Sequence, residues 1–214
     1  MSNTVKMSIA GAVLALALLL ALAPVLLRAV NSADTPSGTG GTESAAEDST
    51  SNMDAGLSAC PAPEEGSATS SISAEGGPLA GVTMDCLGAP GDGTDLQTAL
   101  AGKPAVINVW AWNCAPCRNE LPLFDQLQQQ RSDLTVVGVH ENAHAKKGIE
   151  FAQSVGLKMP SWLDNDGRFA AALELPNVVP QTIVLRADGT VAAKFPKTFT
   201  SAAELEQAVN EALR

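Results

Sequence analysis

The chain has 214 residues, of which 45% are hydrophobic and 17% charged, so its composition excludes a wholly disordered polymer. Asp and Glu number 23 against 13 Lys and Arg, which gives a net charge of −10. That balance excludes a nucleic-acid-binding protein that relies on a basic surface. The acidic excess lies in one segment, because the stretch between Arg28 and Lys103 holds eleven acidic side chains and no basic one.

The first predicted element is an uncharged run rich in Leu and Ala, from Met7 to Leu27. As a helix this run spans about 30 Å, the thickness of a bilayer core. A cleaved signal peptide is the alternative, but the run is longer than the usual apolar region of about 7–15 residues in such peptides. We therefore expect a transmembrane signal-anchor helix at 7–27, with residues 1–6 in the cytoplasm and the rest exported.

Two segments with little to bury follow the predicted anchor. Residues 28–59 are rich in Ser, Thr, Gly, Ala and acidic side chains, which predicts a disordered, self-repelling linker. Residues 60–80 are interpreted as an extension that Cys60 ties to the folded domain. The folded domain itself is expected at residues 81–214.

From residue 81 onward the pattern alternates between strands and helices. The predicted strands are 82–84, 105–110, 134–139, 181–185 and 190–195, and the predicted helices are 114–130, 146–155, 167–174 and a last one from about 201. The residues Arg186 to Gly189 form a hairpin turn signal between the last two strands. This order predicts one α/β domain.

The motif Cys114-Ala115-Pro116-Cys117 stands where a buried strand is followed by a helix. The N-terminus of a helix stabilises a thiolate through its free N–H groups and the positive end of its dipole. We therefore expect Cys114 to be the attacking thiol, exposed at the helix end, and Cys117 to resolve the mixed disulfide. A structural zinc site would need a second CxxC, and a c-type haem site would need His where Arg118 stands.

The sequence around this motif resembles the membrane-tethered, extracytoplasmic thioredoxin-like proteins of the TlpA/ResA type. The resemblance is carried by residues 100–104, 106–122 (VINVWAWNCAPCRNELP), 160–168, 178–182 and 186–189. It extends over about residues 80–214. It implies a thioredoxin fold, in which a central mixed sheet is flanked by helices.

The resemblance also implies roles for individual residues. Cys114 would be the nucleophile and Cys117 the resolving thiol of a redox-active disulfide. Pro180 would be a cis-proline that faces the pair and exposes the backbone of Val179 for pairing with a substrate strand. Glu120 would be the acid near the thiols, which tunes their ionisation or relays a proton; the alternative is a solvated residue near the start of the helix.

Two positions depart from the pattern of these proteins. Asn108 stands where cytoplasmic thioredoxins have a buried Asp, which favours Glu120 as the acid of this chain. Asn113 stands directly before the first cysteine, where the family has Trp, and Trp112 comes one residue earlier. Whether Trp112 covers the site is therefore open, whereas Trp110 is expected in the core.

The remaining cysteines are Cys60 and Cys86. With Cys114 paired to Cys117 by the motif, one further pairing remains of the three that four cysteines allow, and an exported chain is expected to form it. Such a structural disulfide would pin the end of the linker to the domain. The alternative is a second redox pair that relays electrons to or from Cys114 and Cys117.

The run His140-Glu141-Asn142-Ala143-His144 matches H-E-x-x-H, the motif of zinc metallopeptidases. That chemistry needs both His on one face of a helix and a third ligand. Here the match begins as a strand ends, and the chain has 2 His in all. The metallopeptidase is therefore kept as an alternative of a different class, beside a non-enzymatic holdase or haem-handling module.

We expect the chain to carry out thiol–disulfide exchange on protein substrates, with no bound cofactor and no metal. A Pro and no His between the cysteines favours a reductant resembling thioredoxin over a strong oxidant, for example in cytochrome c maturation or in the maintenance of exported thiols. An oxidant or isomerase of extracytoplasmic disulfide formation is the alternative. The expected partners are protein thiols or disulfides and a membrane redox donor or acceptor protein, with the catalytic domain on the extracytoplasmic side of the cell membrane.

Overall fold

The computed structural model describes residues 54–62, 76–141 and 143–214. The predicted cytoplasmic N-terminus, the transmembrane helix at 7–27 and most of the predicted linker lie outside the described residues. Within the described ranges, no helix is long and apolar enough to cross a membrane.

Strands and short helices alternate along the described part of the chain. In chain order the elements are β1 (Thr83–Cys86), β2 (Ala89–Asp95), α1 (Leu96–Ala99), β3 (Ala105–Trp110), α2 (Ala115–Gln130), β4 (Thr135–Glu141), α3 (Ala145–Val155), β5 (Ser161–Asp164), α4 (Arg168–Ala172), β6 (Gln181–Leu185), β7 (Val191–Phe195) and α5 (Ala202–Ala212).

The strands form a 7-stranded sheet in the order β2-β1-β5-β4-β3-β6-β7. β3, β4 and β5 run parallel to one another, whereas β6 pairs antiparallel with β3, and β7 with β6. β1 and β2 extend the other side of the sheet as antiparallel strands. The predicted mixed sheet is confirmed. β3 lies inside it, between β4 and β6, and every residue of β3 is buried.

Alternate side chains of β3 point to the two faces of the sheet, and each face packs on its own hydrophobic core. Val106 and Trp110 belong to the core that α2, α3 and α5 cover, which we call the first core. Ile107 and Val109 belong to the second core, which α1 and α4 cover. By the same alternation, Asn108 points toward the first core, so a polar side chain faces α2 from the middle of a buried strand.

Three elements of the structure were not predicted from the sequence. β2 contains Pro90 and two Gly, and β5 has 4 residues, so neither has the composition or the length that predicts a strand. β2 pairs with β1 in a hairpin, and β5 pairs with β1 on one side and with β4 on the other, so partner strands hold both. α1 is a single turn, capped by the carboxylate of Asp95, which accepts a hydrogen bond from the N–H of Thr98 at 2.9 Å.

Residues 54–62 lie against the domain, and we call them the N-terminal strap. The N–H of Ser58 donates to the carbonyl of Lys158 at 2.8 Å, and Lys158 Nζ donates to the carbonyl of Gly56 at 3.2 Å. Ala55 is 7% exposed and belongs to the first core. The last residues of the predicted linker, which extends to residue 59, therefore make hydrogen bonds to the domain.

Candidate functional site

The Cys114–Cys117 disulfide lies between the end of β3 and the first turn of α2. Cys114 is the N-cap residue of α2, and its Sγ accepts a hydrogen bond from the N–H of Cys117 at 3.2 Å. The two Cα atoms are 5.3 Å apart. Pro116 stands at the start of the helix, where the missing N–H costs no hydrogen bond. Both sulfur atoms are therefore placed at the positive end of a helix dipole.

The two cysteines differ in exposure less than we expected. Cys114 is 6% exposed, and Cys117 is completely buried. The expectation of an exposed Cys114 sulfur is wrong for the disulfide form, because the bond to Cys117 and the hydrogen bond from its N–H hold this sulfur against the first core. Cys114 is still the more accessible of the two, as an attacking thiol requires.

Glu120 is completely buried on α2, nearly one turn after Cys117. Its carboxylate accepts hydrogen bonds from Asn108 Nδ2 at 3.1 Å and from the N–H of Phe199 at 2.7 Å. Burial raises the pKa of Glu120 above its usual value, and the two hydrogen bonds oppose part of that shift. The alternative of a solvated residue near the helix start is therefore wrong.

The partners of Glu120 come from distant parts of the chain. Asn108 is 12 residues away in sequence, and Phe199 is 79 residues away. Asn108 pairs in register with Thr182 of β6, and within the described ranges Asn108 Oδ1 and Thr182 Oγ1 are buried polar atoms without a hydrogen-bond partner. Sequence reasoning identified Asn108 only as a departure from a pattern, because no local signal shows which carboxylate it meets.

Pro180 lies at the same edge of the sheet as the disulfide. The Val179–Pro180 peptide bond is cis, and the next residue, Gln181, pairs with Val109 near the end of β3. Val179 is half-buried and packs against the core that contains both cysteines of the motif. Its backbone N–H and C=O have no hydrogen-bond partner among the described residues. This arrangement is the one that the resemblance implies, and the roles of both residues stay predictions.

Trp112, which stands one position before the site of the family's tryptophan, packs against the start of α3. Trp112 is half-buried, with Lys147 Nζ 4.3 Å from the centre of its ring and the His144 ring centre at 6.3 Å. Asn113, which takes the place of the family's tryptophan, is exposed. The residue directly before Cys114 is therefore a small amide that is open to solvent.

The Cys60–Cys86 disulfide is present, with the two Cα atoms 5.8 Å apart. Cys86 lies on β1, which is separated from β3 by β5 and β4; three strand spacings of about 4.8 Å amount to roughly 14 Å. The two disulfides also lie on opposite faces of the sheet, because Cys60 and Cys86 pack against the second core, whereas Cys114 and Cys117 belong to the first. Thiol–disulfide exchange needs direct contact between sulfur atoms. The folded domain therefore favours a structural disulfide over an internal relay.

The H-E-x-x-H match does not form a metal site. His140 is completely buried at the end of β4, where its ring lies 4.6 Å from that of Trp110. His144 is an exposed residue at the N-cap of α3, and Asn142 lies outside the described residues. The two His do not share a helix face, and the described ranges contain no group of three or more His, Cys, Asp or Glu that could hold a metal ion. The metallopeptidase alternative is therefore wrong.

The chain is similar to several bacterial thiol–disulfide proteins. It is 33% identical over 109 residues to the thiol:disulfide interchange protein DsbE of Pseudomonas fluorescens biotype C, covering 49% of this chain and 58% of DsbE. It is 33% identical over 123 residues to the thioredoxin-like protein YneN of Bacillus subtilis, covering 55% of this chain and 69% of YneN. A solved structure of a DsbF homologue from Corynebacterium diphtheriae matches with a TM-score of 0.52 at 30% identity, covering 61% of this chain and 83% of that one.

The match to DsbE thus spans less than two thirds of the length of DsbE. The model of the Redoxin family matches residues 71–210, a region that contains Cys114, Cys117, Glu120 and Pro180. Together with the mixed sheet, these similarities confirm the thioredoxin-like α/β fold. Because the family match covers more than half of the sequence, the chain belongs to the Redoxin family.

Proposed function

We propose that the chain is an extracytoplasmic thiol–disulfide oxidoreductase that acts on protein substrates through Cys114 and Cys117. One observation carries the proposal. The disulfide lies at the N-terminus of α2, where the sulfur of Cys114, the more accessible cysteine, accepts a hydrogen bond from a main-chain N–H. The similarity to a thiol:disulfide interchange protein supports the same chemistry.

In the reductive direction, Cys114 attacks as a thiolate. The hydrogen bond from the Cys117 N–H and the positive end of the helix dipole both stabilise negative charge on this sulfur. The thiolate attacks one sulfur of a substrate disulfide, and an S–S bond forms between Cys114 and the substrate. The other substrate sulfur leaves as a thiolate and takes up a proton from water.

Cys117 completes the exchange. Its thiol loses a proton, and the resulting thiolate attacks Cys114 Sγ, so that the intramolecular bond forms while the mixed disulfide breaks. The second substrate sulfur leaves as a thiolate and takes up a proton from water. The substrate has then gained two electrons and two protons, and the protein ends in its disulfide form. A dithiol partner must return the electrons, and we assign that role to a membrane redox donor protein.

We propose that the carboxylate of Glu120 accepts the proton that the Cys117 thiol loses. The two residues are three positions apart on α2, so they lie on the same helix face, and both are completely buried. Because burial raises the pKa of Glu120, its carboxylate is a stronger base than that of an exposed Glu. The same carboxyl can return the proton when the exchange runs in reverse.

The direction that we propose is reduction of exported protein disulfides, for example in cytochrome c maturation or in the maintenance of exported thiols. The dipeptide between the cysteines is Ala115-Pro116 and contains no His. This composition favours a potential near that of thioredoxin, about −270 mV, over that of a strong oxidant such as DsbA, about −120 mV. An oxidant or isomerase remains the alternative direction of the same chemistry.

The proposed location is the extracytoplasmic side of the cell membrane, with a single-pass anchor at 7–27. The apolar run in the sequence supports the anchor. The Cys60–Cys86 disulfide supports export, since such bonds persist in oxidising compartments and are rare in the cytosol.

The proposed function is tested by reduction of insulin disulfides with the full chain. We expect Cys114→Ser to abolish turnover, and Cys117→Ser to accumulate a mixed disulfide between Cys114 and the substrate, because the resolving thiol is missing. Full turnover in the Cys114→Ser variant would refute the proposal.

A further inference from the structure

Within the described ranges, the large hydrophobic side chain that is exposed is that of Val178, in the loop before β6. Val178 is 49% exposed and lies directly before Val179 and the cis bond to Pro180. Because β6 pairs with β3, this loop lies at the same edge of the sheet as the disulfide. Single exposed apolar side chains are common on protein surfaces, so exposure alone assigns no function to Val178. The case for a substrate contact depends on the backbone around it.

Gln181 holds the backbone of this loop. Its side chain is 2% exposed, and its Nε2 donates hydrogen bonds to the carbonyls of Pro176 at 2.9 Å and Val178 at 2.7 Å. The N–H of Val178 in turn donates to the carbonyl of Pro176 at 2.8 Å. One buried amide therefore uses both of its hydrogen atoms to fix two main-chain carbonyls.

These contacts decide which backbone groups of the loop are open. The carbonyls of Pro176 and Val178 are occupied by Gln181, whereas the N–H and C=O of Val179 have no partner within the described residues. A residue with both groups free can accept an extended strand through the paired hydrogen bonds of a β-ladder. Val179 is the open residue that directly precedes the cis bond, and the side chain of Val178 borders it.

We propose that Gln181 is a positioning residue for protein substrates and that Val178 selects an apolar side chain next to the substrate cysteine. This inference rests on the proposed thiol–disulfide exchange. The substrate class is an extended polypeptide segment that pairs with Val179 and places a large apolar residue against Val178. A small disulfide without a peptide backbone gains nothing from this arrangement.

The discriminating variant is Gln181→Glu in the full chain. The carboxylate has nearly the shape of the amide, but it has no hydrogen atom to donate and repels the carbonyls of Pro176 and Val178. Reduction is measured for a cystine-linked peptide with Leu beside each cysteine and for 2-hydroxyethyl disulfide. We expect the ratio of kcat/KM for the peptide to kcat/KM for the small disulfide to fall about tenfold or more, chiefly through KM.

The matched control is Gln153→Glu. Gln153 Nε2 also donates to a main-chain carbonyl, that of Asp54 at 2.7 Å, but it lies in the last turn of α3 and contacts the N-terminal strap. The control makes the same chemical change, and we expect it to keep the ratio of the wild-type chain.

A second variant, Val178→Thr, keeps the branched shape and replaces one methyl group by a hydroxyl, which weakens the apolar contact. It decides the question if Gln181→Glu does not fold. We expect it to lose the preference of the wild-type chain for the Leu peptide over the same peptide with Ser in place of Leu. Wild-type ratios in both variants, with exchange intact, would overturn the inference alone. A wild-type chain that reduces neither disulfide would overturn the proposed function together with it.

Discussion

Among single residues, Glu120 shows how far an environment can differ from what a sequence position suggests. A Glu near the start of a helix is ordinarily solvated and favoured by the helix dipole. In this fold it is completely buried, and Asn108 and Phe199 supply its hydrogen bonds. Burial raises the pKa of Glu120, and the proton transfer that we propose would couple its protonation state to that of the Cys117 thiol.

Replacing Glu120 by Gln is expected to change the pH dependence of stability. Because the pKa of Glu120 in the folded state lies above 4.5, the folded protein holds this proton more tightly than the unfolded chain does. The contribution of Glu120 to the free energy of unfolding is therefore fully present below about pH 4.5 and is lost as the pH rises through the folded-state pKa. The Gln variant has no such loss, so it should gain stability relative to the wild-type chain as the pH rises. Chemical denaturation at a series of pH values measures this difference.

The fold can accommodate this substitution. Asn108 Oδ1 lacks a partner within the described ranges, so a rotated Asn108 amide can accept a hydrogen bond from the new Gln Nε2. Glu150→Gln on the exposed side of α3 controls for the loss of one negative charge. A constant difference between the Glu120→Gln variant and the wild-type chain across the pH range would show that Glu120 does not change its protonation on unfolding.

At the scale of secondary-structure elements, the site is assembled from two junctions at one edge of the sheet. One joins β3 to α2 and carries both cysteines of the motif, and the other is the loop that enters β6. The long elements β3, α2, β4, β6, β7 and α5 follow from hydrophobic periodicity, and the sequence analysis predicts them. β2, β5 and α1 could not be predicted, because pairing with neighbouring strands and a side-chain cap hold these short segments in place.

The candidate site likewise contains residues that the sequence predicts and residues that it does not. Cys114 and Cys117 are predicted by a local motif. A CxxC at a strand–helix junction places a thiol at a helix N-terminus, and this placement depends on neighbouring residues alone. Gln181 is not predicted as a site residue, because its hydrogen bonds to the carbonyls of Pro176 and Val178 are tertiary contacts that hydrophobic periodicity does not show.

Opening the second disulfide tests the role of the N-terminal strap. The Cys60–Cys86 bond closes a loop with a sequence separation of 26, and loss of such a constraint removes about 3 kcal/mol in the chain-entropy model. We expect Cys60→Ser with Cys86→Ser to lower the melting temperature by roughly 10 °C. Thermal unfolding followed by circular dichroism measures this shift.

Insulin reduction by the same double variant should stay within a few-fold of the wild-type rate, because the two disulfides lie on opposite faces of the sheet. An unchanged melting temperature combined with lost exchange would favour the electron relay instead.

At the scale of the whole domain, the two disulfides pack on different cores, on opposite faces of the sheet. The first core holds the disulfide at the helix end, together with the α2 face that carries Glu120. The second core packs against the disulfide that joins the strap to β1. A seven-stranded sheet with both faces covered lies between these environments, and we expect Cys114–Cys117 to open and close while Cys60–Cys86 stays closed.

A redox titration of the full chain, read by differential thiol labelling and mass spectrometry, tests this division most directly. The Cys114–Cys117 pair is expected to change from disulfide to dithiol near the potential of thioredoxin, about −270 mV. The Cys60–Cys86 pair is expected to stay closed until potentials below about −300 mV, as structural disulfides of exported proteins do. Opening of Cys60–Cys86 together with Cys114–Cys117, or a Cys114–Cys117 pair that stays closed throughout, would contradict the account.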